Sequence, residues 1–329
     1  TDADDFCAGG PASVENLYIN AIGVAPVDLS CITEITGYLE IENSITLSID
    51  LSNAASIGDE LNIHNNDSLE SIDLSALTSV GNYVEISSNS DLITVDFSAL
   101  ITVDEFFSVN SNSNLESLTM TAFSDLGSQF NFNSNSSLET IDMPALVEVG
   151  TQFYVQSNSS LESIILSSLI EAGEGFDVDG NHSLDEISMP LLEEVGSTFK
   201  IQWNESLTTI DTPALSNISG QLYLYHNDDL ETVDLSSLTN IGSSMTIREN
   251  YALDLLDLGA LVEIDGSLEF DNNDDISTLD LPALLDIGGS MNINGNDSMT
   301  LLSAPLLASL GSTLTIRDNS DLTDVDLPS

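Results

Sequence analysis

Three groups of side chains in this sequence could do chemistry: carboxylates, histidines, and a small set of aromatic and basic residues. The chain carries 55 acidic and 3 basic residues among 329, a formal net charge of −52. Among so many carboxylates, an acidic pair says little about general acid–base catalysis. The histidines His64, His182 and His226 occupy different positions of a repeat described below, so no two have the spacing of metal ligands. The sequence therefore predicts a protein that is not an enzyme.

The carboxylates are more informative as columns, because aspartates recur at one position of the repeat. Stacking would bring like charges together, which destabilises the fold unless salt or cations intervene. Hard divalent cations prefer oxygen ligands, so calcium is the one candidate cofactor. Its candidate ligands are Asp211, Asp234, Asp257 and Asp280. The alternative, a solvated acidic face adapted to high salt, is favoured because the sequence contains no D-x-D-x-D-G loop.

The aromatic and basic residues are concentrated on one predicted strand face. The only tryptophan, two of seven tyrosines and two of three basic residues fall in three successive repeats. Such side chains suit sugar stacking or a protein hot spot. They would equally pack as cross-strand ladders that offset local repulsion. The candidate ligand-binding residues are Lys200, Gln202, Trp203, Tyr223, Tyr225, His226 and Arg248.

A 23-residue repeat must position all of these side chains. Steps of 23 residues from Leu61 reach an apolar residue every time as far as Leu314. Pairs such as Leu61/Ile63 alternate with period 2, which indicates strands, and no stretch has helical periodicity. Coils stacked at about 4.8 Å would share one continuous core. We therefore predict an all-β parallel β-solenoid with 23-residue coils, two short strands per coil and little or no helix.

Two further columns are predicted to hold the turns. An inward asparagine can bond backbone groups of its own and the next coil, which makes a ladder. The predicted ladder is Asn66, Asn89, Asn112, Asn135, Asn158, Asn181, Asn204, Asn227, Asn250, Asn273, Asn296 and Asn319. Glycines recur where the chain bends, and they are expected to have positive φ. They are Gly81, Gly127, Gly150, Gly173, Gly196, Gly242, Gly288 and Gly311.

The cysteines divide the chain into a cap and a solenoid. Cys7 and Cys31 precede the repeats, so residues 1–36 are predicted to form an N-terminal cap closed by a disulfide. Two free buried thiols are the alternative. Residues 37–329 are predicted to hold about 12–13 coils, open at the C-terminal end. Of seven N-x-S/T sequons, six are ladder asparagines, which leaves Asn217 as the glycosylation candidate.

The segment from Cys31 to Ile41, C-I-T-E-I-T-G-Y-L-E-I, resembles the opening of receptor L-domains, where a capping cysteine precedes I-x-G-x-L-x-I. The coils after it resemble the leucine-rich repeats of that superfamily, which includes fungal GPI-anchored wall proteins and bacterial surface arrays. The resemblance covers residues from about 31 to 329. It implies a solenoid of the leucine-rich-repeat type and a role in extracellular recognition, adhesion or wall structure. The repeat is specific for architecture and says little about activity.

Charge and hydropathy narrow the location and the partners. Nucleic acid and anionic lipid are bound through Lys and Arg, which are nearly absent here. No 18-residue apolar stretch occurs, so no direct membrane insertion is expected. The N-terminus has neither a basic nor an apolar signal region. We predict a secreted, extracellular or cell-surface protein whose signal peptide has been removed.

Two classes of function fit these features. The first is a structural or adhesive element of a cell surface, wall, sheath or filament, which assembles with itself or another surface protein through its open edge. The second is a recognition module that binds a glycan or protein through the first-strand face. Ice binding is disfavoured because it would need a regular exposed threonine column. The sequence favours the structural role, with recognition as the alternative.

Overall fold

The 23-residue period folds as a parallel β-solenoid with three strands in each turn. The computed structural model describes residues 7, 10, 12–20, 23 and 25–328, and these contain no α-helix. The chain divides into two compact units, Thr1–Leu166 and Ser167–Ser329, with seven turns each. In each unit the strands form three parallel walls, which we call the long wall, the short wall and the third wall. The predicted fold class is confirmed.

The first unit has seven strands on each wall. Its long wall contains Leu17–Asn20, Leu39–Glu42, Leu61–His64, Val84–Ser87, Phe107–Asn110, Phe130–Asn133 and Gln152–Gln156. Its short wall contains Ala12–Val14, Ile32–Ile35, Ser56–Ile57, Ser79–Val80, Thr102–Val103, Asp125–Leu126 and Glu148–Val149. Its third wall contains Val27–Asp28, Ser48–Asp50, Ser71–Asp73, Thr94–Asp96 and Ser117–Thr119 and, as a separate pair, Thr140–Asp142 and Ser163–Ile165.

The second unit repeats the same plan. Its long wall contains Gly175–Asp179, Phe199–Gln202, Leu222–Tyr225, Met245–Arg248, Leu268–Asp271, Met291–Asn294 and Leu314–Arg317. Its short wall contains Glu171–Ala172, Glu194–Val195, Asn217–Ile218, Asn240–Ile241, Glu263–Ile264, Asp286–Ile287 and Ser309–Leu310. Its third wall contains Glu186–Ser188, Thr209–Asp211, Thr232–Asp234 and Leu255–Asp257 in one sheet, then Thr278–Asp280, Leu301–Ser303 and Asp324–Asp326 in another.

Alternation along each long strand builds the core. Leu61 and Ile63 are fully buried, and they pair in register with Val84 and Ile86 of the next turn. The residues between them point outward, because successive side chains of a strand face opposite sides. The long wall therefore has an outer face made of the alternate residues of every long strand. All the candidate ligand-binding positions belong to this face or to the turn that follows it.

The structure differs from the predicted coil in having a third strand. Two-residue strands such as Ser79–Val80 form the short wall, where Val80 is buried and pairs with Ile57 and Val103. A two-residue strand is too short to show a period-2 pattern, which is why the sequence indicated only two strands per coil.

The asparagine ladder forms as predicted. The Asn112 Oδ1 atom accepts a hydrogen bond of 3.0 Å from the Asn89 backbone N–H, and its Nδ2 atom donates to the Ile86 carbonyl at 2.9 Å. Equivalent bonds link the ladder residues within each unit. Apart from Asn319, at the last turn, every ladder asparagine is fully buried. The ladder thus satisfies backbone groups that the turn would otherwise leave unpaired inside the core.

The glycine column has a different cause from the one predicted. Among the described glycines only Gly10, Gly180 and Gly295 have positive φ, so the prediction of positive φ for the recurrent glycines was wrong. They are required instead by close approach to the preceding turn. A Cβ atom on Gly127 would lie 1.9 Å from the Asp104 carbonyl oxygen, and one on Gly81 would lie 2.3 Å from the Gly58 oxygen.

The positive φ angles occur at the residue just before each ladder asparagine. This left-handed column holds Asn43, Asn65, Ser88, Ser111, Ser134, Ser157, Gly180, Trp203, His226, Glu249, Asn272, Gly295 and Asp318. Left-handed backbone favours Gly, Asn and Asp because other side chains crowd the backbone there. The column explains the many small and polar residues that end the long strands.

At the N-terminal end, the Cys7–Cys31 disulfide is present, with the two Cα atoms 5.3 Å apart. Parallel pairing begins before the predicted boundary at residue 37. Leu17–Asn20 pairs in register with Leu39–Glu42, and Ala12–Val14 pairs with Ile32–Ile35. One solenoid turn therefore lies within the segment assigned to the cap.

Candidate functional site

The predicted ligand-binding residues come together on the outer face of the long wall in the second unit. Lys200 is paired with Tyr223, and Gln202 is paired with Tyr225. Tyr225 is paired in turn with Arg248 of the next turn. We call the seven residues from Lys200 to Arg248 predicted above, now placed side by side, the aromatic patch.

Ring contacts connect the centre of the patch. The Trp203 indole stacks on the His226 imidazole, with centroids 4.0 Å apart and planes inclined by 19°. Tyr225 meets the indole edge-on at 5.6 Å and lies 5.8 Å from the Tyr223 ring. Trp203 is nevertheless 39% exposed, whereas the inward residues of these strands are fully buried. The rings thus form a fixed aromatic surface that is open to solvent.

The backbone under the patch is unusual for its side chains. Trp203, His226 and Glu249 occupy the left-handed column, with φ values of 57°, 54° and 55°. A bulky side chain in this conformation costs on the order of 1–3 kcal/mol, and residues held in such conformations cluster at functional sites. Elsewhere the column uses Asn, Ser, Asp or Gly.

One side of the indole ring has no neighbour from the column. The stacked His226 belongs to the following turn, so the opposite ring face is directed towards the preceding turn. The corresponding residue there is Gly180, which has no side chain, and its N–H donates to the Gln202 carbonyl at 3.1 Å. This arrangement leaves an aromatic face available for stacking.

Both basic residues of the patch are paired with carboxylates. The Lys200 Nζ atom lies 3.1 Å from the Asp177 Oδ2 atom and 3.5 Å from the Asp179 Oδ2 atom. The Arg248 Nε atom lies 3.4 Å from the Asp271 Oδ2 atom. The patch therefore offers no unpaired positive charge to a ligand.

The remaining polar groups add acceptors around the rings. The His226 Nε2 atom lies 2.7 Å from the Glu249 Oε2 atom, and its Nδ1 atom lies 3.5 Å from the Asp228 Oδ1 atom. The Gln202 side chain donates to Asp179 at 2.8 Å. Carboxylate oxygens of this kind accept hydrogen bonds from hydroxyl groups.

Burial sets the protonation of three groups in and beside the patch. It raises the pKa of Asp177 and also that of Tyr223, so the Tyr223 hydroxyl stays protonated at neutral pH. For Lys200, burial acts to lower the pKa, but the hydrogen bond to Asp177 and the charges of Asp177 and Asp179 raise it overall. Lys200 thus remains charged and holds its two aspartates in place.

The aspartate column predicted to bind calcium has a turn-forming role at two of its positions. The Asp234 and Asp257 Oδ1 atoms accept hydrogen bonds of 3.0 Å from the backbone N–H groups of Ser236 and Gly259. Asp211 pairs in register with Asp234, but Asp280 belongs to a separate sheet. Within the described part of the chain, the only three ligand side chains whose donor atoms lie within 4.8 Å of one another are Glu40, Glu42 and His64. The four aspartates do not form such a group.

Asn217, the glycosylation candidate, lies on the short wall and is partly exposed. Its Nδ2 atom donates to the Glu194 Oε1 atom and the Ser219 Oγ atom, both at 3.1 Å. The ladder sequons are buried except for their flanking residues, as expected. Glycosylation at Asn217 stays a prediction.

Several residues of the site were not recognised from the sequence. Asp177, Asp179 and Asp271 pair with the two bases, and each lies 23 residues from a patch member or two positions beside one. Stepping by one repeat from Lys200, Gln202 and Arg248 would have found them. Gly180 could be found by the same step from Trp203, but its importance depends on the stacking direction.

Comparisons with known proteins support the architecture without naming an activity. No protein-family model matches the chain, and no curated protein sequence matches it. One similar solved structure is a leucine-rich repeat protein from Bacteroides ovatus ATCC 8483, at 14% identity and a TM-score of 0.31. That similarity covers 97% of this chain and 90% of the other. None of the described residues belongs to a helix with the length and apolarity needed to cross a membrane.

Proposed function

We propose that this chain is an extracellular recognition module that binds a neutral glycan through the aromatic patch. The observation that carries the proposal is Trp203, a bulky residue in a left-handed conformation whose indole is stacked on His226 on one side and faces Gly180 on the other. Aromatic faces stack on the apolar faces of sugars, and the polar groups nearby supply hydrogen bonds.

The charges of the patch favour a neutral ligand. Lys200 and Arg248 are each paired with carboxylates, so an acidic sugar would meet no free cation. Glu249 and Asp228 add negative charge beside the rings. The net charge of −52 repels anions over long range at low salt. Sugar hydroxyl groups, in contrast, can donate to these carboxylates.

The disulfide supports an extracellular location, because such bonds persist mainly in oxidising compartments. A rigid solenoid also suits recognition, since a binding surface on fixed strands loses little conformational entropy when the ligand binds.

Binding of the purified chain to immobilised cellulose, chitin and mixed β-glucan tests the proposal. The double variant Trp203→Ala plus Tyr225→Ala is expected to weaken binding by roughly 30-fold, since hot-spot side chains contribute about 2 kcal/mol or more. The matched control is Tyr83→Ala plus Phe106→Ala, which removes a stacked aromatic pair in the first unit, with centroids 4.5 Å apart. Equal binding by the double variant and the wild type would contradict the proposal.

A structural or adhesive role is the second candidate. It is supported by a column of exposed apolar residues, with Ile101 44% and Val147 42% exposed in the first unit and Leu285 45% exposed in the second. Exposed apolar side chains at a repeated position suit lateral contact with another copy or another surface protein. Failure to bind any of the polysaccharides, together with concentration-dependent sedimentation, would favour this role.

A further inference from the structure

A cluster of unlike metal-binding groups lies on the outer face of the long wall in the first unit, where no ligand was predicted. Glu40 and Glu42 lie on the strand Leu39–Glu42, and His64 ends the next strand, paired with Glu42. The His64 Nε2 atom is 3.7 Å from the Glu40 Oε1 atom and 4.0 Å from the Glu42 Oε2 atom. All three side chains are half-buried.

These distances do not fit ordinary hydrogen bonds. An N–H group and a carboxylate that are hydrogen-bonded lie about 2.7–3.2 Å apart. Two ligands of one tetrahedral zinc ion, each at about 2.0–2.1 Å from it, are separated by about 3.3 Å. The three groups therefore surround a space from which a small cation can be bound after shifts of a few tenths of an ångström.

Neighbouring residues hold two of the three groups in position. Glu42 accepts hydrogen bonds from the Tyr18 hydroxyl, from the Asn20 Nδ2 atom at 2.7 Å and from the Asn43 Nδ2 atom at 2.8 Å. The Asn65 amide lies 2.9 Å from the His64 Nδ1 atom. With its oxygen turned to Nδ1–H, this amide fixes the tautomer in which Nε2 has a free lone pair. Outer contacts of this kind are typical of metal ligands.

The other two histidines are arranged differently. His226 has its two carboxylates at opposite ring nitrogens, Nδ1 and Nε2, so they cannot converge on one ion. His182 is paired with Glu205 alone among the described residues. These histidines are therefore matched controls within the same acidic chain.

We propose that Glu40, Glu42 and His64 bind a divalent cation of the zinc type, with water completing its coordination. Two carboxylates and a neutral imidazole carry two negative charges, which balance the ion. The imidazole selects zinc-type ions over calcium and magnesium, which prefer oxygen ligands only. The bound ion joins two successive turns of the solenoid close to its disulfide-linked end.

Titration of the full chain with ZnCl2 in excess CaCl2 tests this site, because calcium occupies the weak carboxylate sites of the surface. Isothermal calorimetry is expected to show one zinc site per chain. His64→Asn is the test variant, since Asn110 occupies the equivalent position two turns later and the residue type suits the strand. Loss of an outer-shell partner lowers metal affinity about 10- to 100-fold, so loss of this ligand is expected to lower it at least as much. His182→Asn and His226→Asn are expected to leave it unchanged.

A spectroscopic readout distinguishes the site from general charge binding. With only three histidines, the imidazole signals in an NMR spectrum can be assigned from the same three variants. Zinc is expected to shift the His64 signals first and to leave those of His182 and His226 in place. Equal zinc affinity in His64→Asn, or first shifts at another histidine, would overturn the proposal.

Discussion

Among single residues, the ladder asparagine contributes most specifically to the fold. Asn112 accepts from the Asn89 N–H and donates to the Ile86 and Asn110 carbonyls. It thereby serves backbone groups of three successive positions of the coil from one buried side chain. Aspartate would lack the donors and bury a charge, which explains why only Asn occurs in this column.

Asn112→Ala is expected to destabilise the protein by about 2–5 kcal/mol, because each buried backbone group left without a partner costs about 1–3 kcal/mol. The matched control is Asn114→Ala, two positions along the chain and exposed, where a change within about 0.5 kcal/mol is expected. Urea unfolding followed by circular dichroism measures both. Similar unfolding midpoints for the two variants would show that the ladder bonds do not stabilise the coil.

The sequence predicted the ladder because one residue type fills it without exception. The neighbouring left-handed column was not predictable, since Asn, Ser, Gly, Asp, His, Trp and Glu all occur in it. The conformation is imposed there by the turn and not by residue preference. Trp203 could therefore be recognised as a surface aromatic, but its strained backbone and its contact with His226 needed the structure.

At the scale of elements, the long strands could be predicted and the short wall could not. Four-residue strands with buried alternate positions, such as Leu61–His64, give a readable period. The glycine column marks the passage from the short wall to the long wall, where the chain passes very close to the previous turn. Its spacing was visible in the sequence, whereas its cause, backbone approach, was not.

Gly127→Ala tests this close approach. The added methyl would lie 1.9 Å from the Asp104 carbonyl oxygen, so the turns must separate locally, at a cost of about 1–3 kcal/mol. In Gly259→Ala the nearest atom is the Asp257 carboxylate oxygen at 3.2 Å, and this group can move, so little change is expected. Thermal unfolding distinguishes the two variants. A neutral Gly127→Ala would mean that the column reflects a property other than spacing.

For the whole molecule, the excess of 52 negative charges dominates the response to solution conditions. Burial raises the pKa of Glu60, with the charges of Asp59 and Glu40 acting in the same direction. Burial and the charges of Asp297 and Asp275 raise the pKa of Asp274. A group whose pKa is raised on folding stabilises the fold below its ordinary pKa, and this contribution is lost as pH rises through the folded value. These two carboxyls therefore favour folding at weakly acidic pH.

Two other groups oppose this trend in stronger acid. The Tyr18 hydrogen bond lowers the pKa of Glu42, and the Ser30 hydrogen bonds lower that of Asp28. A lowered pKa stabilises the fold above the ordinary value, and that contribution is lost as pH falls through the folded one. Stability is therefore expected to pass through a maximum at weakly acidic pH instead of rising continuously.

The melting temperature in low salt is accordingly expected to rise when the pH is lowered from about 7.5 to about 5.5, and to fall below about pH 4. Added NaCl should raise it at pH 7.5 and reduce the pH effect, because screening acts on the same repulsion between exposed carboxylates. Calcium, the cofactor candidate from the sequence, should act at much lower concentration than sodium only if it binds specific sites. Differential scanning calorimetry at two pH values, with NaCl and CaCl2 compared at equal ionic strength, measures all three effects. A melting temperature that ignored pH and both salts would mean that the acidic columns are already solvated without strain.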